Sequence, residues 1–172
     1  MKKRLAIFFI LIAFGIRFVP LKLPNVEFVS SAIAFLVLSF GLKTALPLML
    51  GLVLLSDIAL SGVPQSWELI VILGWASVIF TQWFIKGKKF YRVLLMEVMG
   101  TLSFFFVTNS LVFFMYNYYP KTPTGYIACL VAGIPFMRNQ LIGNTLLSYI
   151  VYLTFHLAES REIDGAKNTI SG

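Results

Sequence analysis

Five polar residues set in strongly apolar sequence carry most of the chemistry this chain has to offer: Arg17, Asp57, Asn109, Arg138 and Asn139. Two guanidinium groups, a carboxylate and two amides can pair with one another or hold a small polar ligand through neutral and charge-assisted hydrogen bonds. Such groups bind; they do not supply an activated nucleophile. The rest of the sequence adds no catalytic set. It holds no glycine-rich phosphate loop and a single histidine, His156, so a metal-binding histidine pair is excluded. The lone Cys129 excludes an internal disulfide and a cysteine-based metal site. Ser148 lies about two turns before His156, but no Gly-x-Ser-x-Gly element accompanies it, which argues against a serine hydrolase. The chain is therefore expected to be no enzyme, and to carry no cofactor and no metal.

The surroundings of those five residues set the solvent. In 172 residues, 59% are hydrophobic and only 12% charged, and the mean hydropathy is +0.87. A soluble domain of this size has too little interior to hide so much apolar surface, so the lipid bilayer is the expected partner. Lys and Arg outnumber Asp and Glu by 14 to 7. An excess of that kind suits nucleic acid or a membrane, and position decides. Lys2, Lys3 and Arg4, then Lys86, Lys88, Lys89 and Arg92, form two short clusters beside apolar runs, which is how orientation in a membrane is encoded. No nucleic-acid partner is expected.

The fold class that follows is an all-α integral membrane protein with six transmembrane helices, a short outer interfacial helix before the sixth, and both termini cytoplasmic. Residues 1–157 form a single transmembrane domain and 158–172 a polar cytoplasmic tail, fraying at its end, in a multi-pass protein of the bacterial inner membrane. The first span runs to about Val19; a signal peptide ending near Ala13 or Gly15 fits less well, because no cleavage motif is present and Arg17 follows closely. Pro20 and Pro24 stop the helix, and Asn25 to Glu27 make a turn or short re-entrant loop. The second segment, Phe28 to Leu42, opens with Ser30 and Ser31 as N-caps, and Lys43 and Thr44 link it tightly to the third, Thr44 to Leu60. Trp67 to Ile85 is the fourth, Lys86 to Arg92 a basic loop, and Val93 to Tyr116 the fifth. Tyr116, Tyr118 and Tyr119 then mark a headgroup boundary, and with Lys121 form a loop that could act as a lid. Apolar sequence from Thr124 to His156 is too long for one perpendicular span, and Pro135 divides it into an outer helix, Thr124 to Gly133, and a sixth span, Phe136 to Leu157.

That topology fixes depths. Arg17 falls near the outer end of the first span, Asp57 about one turn below the outer end of the third, Asn109 about two turns below that of the fifth, and Arg138 and Asn139 at the outer start of the sixth. Four helices thus bring polar groups to one outer layer, where charges must face inward or pair. Asp57 with Arg17 or Arg138 makes either a structural ion pair or a ligand contact. Asn109 either ties two helices together or binds a ligand. Arg138, beside a helix start, favours an anionic or strongly polar ligand group, or snorkels to headgroups. On the inner side, Glu97 is expected to pair with Lys88, Lys89 or Arg92, and His156 to be satisfied or solvent-exposed. Phe104, Phe105, Phe106, Phe113 and Phe114 suit lipid or core, with one or two able to stack on a ring.

Three stretches also carry a resemblance: Phe105-Phe106-Val107-Thr108-Asn109, Tyr119-Pro120-Lys121-Thr122, and Ala132-Gly133-Ile134-Pro135-Phe136-Met137-Arg138-Asn139-Gln140-Leu141-Ile142-Gly143-Asn144, with Leu55-Ser56-Asp57 earlier. The chain resembles a family of small bacterial membrane proteins of uncharacterised function grouped with the S components, the substrate-binding subunits, of energy-coupling-factor (ECF) vitamin transporters. The resemblance implies a six-helix protein that captures a small polar micronutrient from outside. It would deliver the ligand by toppling in a complex with a transmembrane coupling protein and two ATPase subunits. This chain departs from the pattern in two places. Asn144 stands where an acidic residue is expected, and Ala6 and Ala13 do not form the Ala-x-x-x-Ala docking patch, whose spacing occurs only at Ala128 and Ala132. The alternative is a structural or assembly protein of the envelope, in which the same polar groups only join helices.

Overall fold

The computed structural model describes residues 2–19, 28–62, 66–86 and 89–170. They form six helices: α1 (Lys2–Ile16), α2 (Val29–Phe40), α3 (Leu42–Ser61), α4 (Glu68–Phe84), α5 (Lys89–Met115) and α6 (Pro123–Ile170). No strand occurs among the described residues. The turn expected at Pro20 to Glu27 lies outside them.

Helix α2 is the centre of the bundle. It packs against all five other helices, and Val29 to Val37 are buried without interruption. A helix that is apolar on every face has no solvent side, and enclosure by neighbours is the arrangement such a sequence permits. Ser30 and Ser31 do not cap it. Phe28 holds the N-cap position without a side-chain hydrogen bond, and both serines lie in the first turn, buried. The link to α3 is shorter than the expected Lys43–Thr44 loop. Gly41 alone turns the chain, at φ 78° and ψ 179°, and Lys43 and Thr44 already belong to α3. A positive φ of this kind is readily adopted only by glycine, so one residue does the work of a loop.

α4 and α5 approach closely. A Cβ on Gly74 would lie 2.6 Å from Thr108 Cγ2 and 2.8 Å from the Phe104 ring, and Trp75 packs on that ring at 4.8 Å between centroids. Hydroxyls lace the same seam: Thr81 Oγ1 donates to Ser103 Oγ at 3.0 Å, Ser103 Oγ to Ser77 Oγ at 3.0 Å, and Ser77 Oγ to the Gly74 carbonyl at 2.7 Å. Small residues and interhelical hydroxyl bonds of this sort hold helices together where hydrophobic burial gives little preference.

The connection from α5 to α6 is pinned at both ends. Lys121 Nζ donates to the carbonyls of Phe113 and Tyr116 and sits 4.9 Å over the Phe113 ring, so a cation closes the negative end of α5. Thr122 Oγ1 accepts from the Gly125 amide at 3.2 Å, capping α6, and Pro123 occupies the first helical position.

α6 corrects the sequence expectation. Pro135 does not divide it, and a single helix of 48 residues runs through the proposed outer helix, the sixth span and the tail as far as Ile170. Proline removes one N–H from the ladder, but Pro135 is exposed, so its ring lies away from the packed face while Gly133 stays buried. The cost is local and the helix continues.

Among the described residues, Leu42–Leu60 and Tyr91–Met115 are long and apolar enough to cross a membrane, and Val29–Phe40 and Glu68–Phe84 are shorter apolar helices. Large apolar side chains stand exposed on every helix except α2, among them Phe8, Leu55, Phe80, Phe114 and Leu146.

The α4–α5 seam yields a paired prediction. Gly74→Ala forces its methyl into Thr108 and Phe104 and should destabilise the bundle by about 1–3 kcal/mol. Gly51→Ala, where a Cβ meets nothing within 4 Å, should leave the thermal midpoint unchanged or slightly raised. Melting of the purified protein in detergent measures both.

Candidate functional site

The five polar residues read from sequence do not come together in one place. Arg17 lies in the tightening turns after α1, where the amides of Arg17, Phe18 and Val19 bond back to Phe14, Gly15 and Ile16. Its guanidinium pairs with the Asp57 carboxylate of α3, and side-chain exposures of 10% and 3% make this a buried ion pair. The neighbouring Ser56 hydroxyl turns back to the Val53 carbonyl at 2.8 Å and takes no part.

Asn109 belongs to the α5–α6 interface. Its amide nitrogen donates to the Phe105 carbonyl one turn earlier, at 2.8 Å, which leaves the amide oxygen aimed at α6. There Gly133 makes room: a Cβ would stand 2.6 Å from that oxygen and 2.8 Å from the Phe105 ring. Cys129 Sγ, also on α6, lies 3.5 Å from the Asn109 backbone oxygen. Around this crossing is a pocket of about 190 Å³. Phe104, Phe105, Thr108 and Asn109 of α5 line it, with Gly133, Phe136, Met137 and Gln140 of α6.

Arg138 and Asn139 are not part of that lining. Arg138 is exposed and Asn139 half-buried. No hydrogen bond or ion pair among the described residues joins Asn109, Arg138 or Asn139 to the Arg17–Asp57 pair. The helical period explains the selection. From Gly133, steps of three and four residues lead to Phe136, Met137 and Gln140, whereas 138 and 139 lie about 140° and 120° away from it on opposite sides. Gln140, only 5% exposed, is the polar residue that α6 presents to this pocket. That spacing was available in the sequence, but a helix assumed to break at Pro135 loses its phase there.

The half of the bundle around Glu97 also departs from expectation. Glu97 is fully buried, and its Oε2 accepts from Ser30 Oγ of α2 at 2.7 Å. Arg92, offered as a partner, donates instead to the Ile85 carbonyl at 2.9 Å; Lys88 lies outside the described residues, as does the side chain of Lys89. Val93, Met96, Glu97, Gly100 and Thr101 form the buried face of α5, so the carboxylate is carried inward by the same period that buries its neighbours. His156 is exposed, with Ser160 Oγ 3.3 Å from its Nδ1. Among the described residues there is no group of three or more His, Cys, Asp or Glu side chains placed to hold a metal ion.

A family model matches residues 1–166, and the chain belongs to that family, which is described as a family of unknown function (DUF6580). No curated protein and no solved structure matches the chain.

The ion pair generates a double-mutant prediction. Arg17→Ala or Asp57→Ala leaves one charge buried without its partner and should cost about 3–5 kcal/mol, whereas Arg17→Met combined with Asp57→Leu should recover most of that loss. Thermal denaturation of the three variants gives the comparison.

Proposed function

We propose that this member of a family without an assigned function is the substrate-binding membrane subunit of a micronutrient uptake system, similar to the S components of ECF transporters, with its ligand in the pocket between α5 and α6. The pocket's composition carries the proposal. Asn109 and Gln140 offer amide groups to the edge of a polar heterocycle, while Phe104, Phe105 and Phe136 offer ring faces and Met137 an adaptable apolar contact. At about 190 Å³ the space is smaller than the roughly 300–1,000 Å³ of drug-sized sites, which favours a ligand of one or two rings. In this role all six helices are inserted in the bacterial inner membrane with both termini cytoplasmic, and the exposed apolar side chains face lipid. The sequence contains no ATP-binding motif, so energy would come from partners: a transmembrane coupling protein and two ATPase subunits.

One observation favours a scaffold role instead. The Asn109 amide nitrogen is already satisfied by its own helix and its oxygen abuts Gly133, as in an amide that merely joins two helices. Thermal-shift screening of the purified chain against vitamins and nucleobases separates the two. Ligand binding requires that at least one compound raise the melting midpoint, and that Gln140→Leu abolish the rise while Arg138→Ala, on the exposed face, leaves it within about twofold in apparent affinity. No response from any compound, with uptake by cells unchanged in Asn109→Ala and Gln140→Leu, leaves the scaffold role.

A further inference from the structure

About three turns along α5 from Asn109, a second polar set is enclosed far more completely than the pocket. Ser30 of α2, Gln82 of α4, Glu97 and Thr101 of α5 and Asn144 of α6 are each no more than 1% exposed. They form two hydrogen-bonded groups one helical turn apart on α5. Ser30 Oγ donates to Glu97 Oε2 at 2.7 Å, and Gln82 Nε2 lies 3.4 Å from Ser30 Oγ and 3.2 Å from the Met96 carbonyl. One helical turn beyond Glu97, Thr101 Oγ1 accepts from Asn144 Nδ2 at 2.9 Å.

This set is short of donors. Gln82 Oε1 and Asn144 Oδ1 are buried and meet no hydrogen-bond donor among the described residues, and Glu97 Oε1 has only the buried Ser31 hydroxyl near its carboxyl group. The orientation of Gln82 is fixed by chemistry, since a flip would press its oxygen against the Met96 carbonyl, which can only accept. No basic side chain among the described residues pairs with Glu97. Three acceptor oxygens on three helices, one of them on a carboxyl group, are therefore left facing the interior.

We propose that Glu97, Gln82 and Asn144, together with the hydroxyls of Ser30 and Thr101, form a buried binding site for a small monovalent cation, Na⁺. An all-oxygen donor set with neither sulfur nor imidazole selects a hard cation over a transition metal. One carboxylate balances a single positive charge. Amide and hydroxyl oxygens supply the remaining ligands, replacing the ion's water. Because the ligands come from α2, α4, α5 and α6, occupancy ties four helices at one point. The site is separate from the outer pocket and does not depend on what that pocket binds.

The test uses the full chain in detergent. Its melting midpoint is followed as NaCl replaces choline chloride at constant ionic strength, alongside equilibrium binding of radioactive Na⁺. The expected result is a saturable rise in the midpoint with one ion bound per chain, since a ligand that binds only the folded state stabilises it by mass action. Glu97→Gln should abolish both signals. Should that variant fail to fold, Gln82→Leu and Thr101→Val keep the carboxylate, and each should raise the half-saturating Na⁺ concentration by about 10-fold or more. Equal melting in NaCl and choline chloride with no bound Na⁺ overturns the proposal, and so does a Na⁺ response that survives Glu97→Gln or both substitutions that keep the carboxylate.

Discussion

Because α2 touches every other helix and buries nine consecutive residues, each of its side chains has to be matched by a neighbour, the polar ones included. That constraint organises the rest. Ser30 enters the interior in the first turn of α2 and can do so only because α5 returns a carboxylate to it, and Gln82 of α4 approaches the same hydroxyl. At twelve residues, α2 rises only about 18 Å, well short of a hydrocarbon core of about 30 Å. It is a post within the protein, and the longer helices form the wall around it.

The wall is built by a different principle. Along α4 and α5 the side chains shrink to Gly74, Ser77, Thr81 and Ser103 where the backbones come together, and aromatic rings fill the space beside them. α5 and α6 repeat the device with Gly133 beneath Asn109 and Phe105. Tyr126 reinforces that crossing through its hydroxyl contact with Ser110 and its edge-on packing with Phe113. Close approach at the glycines and bulk at the rings together leave a pocket where Phe104, Phe136 and Gln140 meet.

Much of this was legible in sequence, and the misses share one cause. Helix positions followed from apolar runs and their polar breaks, and the predicted segments overlap all the observed helices. What failed was phase and punctuation. Pro135 suggested a stop because proline breaks most helix interiors, yet on an exposed face it removes a single bond and the helix survives. With the phase lost at residue 135, Arg138 and Asn139 stood out by chemical type, while Gln140, on the buried face, did not. Glu97 was assigned to the nearby basic loop by proximity in sequence, although its spacing from Val93 and Thr101 already marked the inner face. Ser30 and Ser31 read as caps since serine favours that position, but a helix with no solvent side turns its first-turn serines to its neighbours. The Arg17–Asp57 pair shows the opposite case. Opposite charges in apolar sequence have few alternatives to each other, so forty residues of separation did not hide the match.

The length of α6 has a mechanical meaning. Forty-eight residues at about 1.5 Å each give a length of about 72 Å along the helix, and its amino-terminal end is clamped to α5 by Lys121 and the Thr122 cap. Beyond Pro135 no proline interrupts the helix, and such a helix bends only gently, so a small rotation there reappears at the far end multiplied by the length of the arm. α6 is therefore a lever: a tilt of a few degrees at Gln140, too slight to disturb the packing there, sweeps the carboxy terminus through several ångströms.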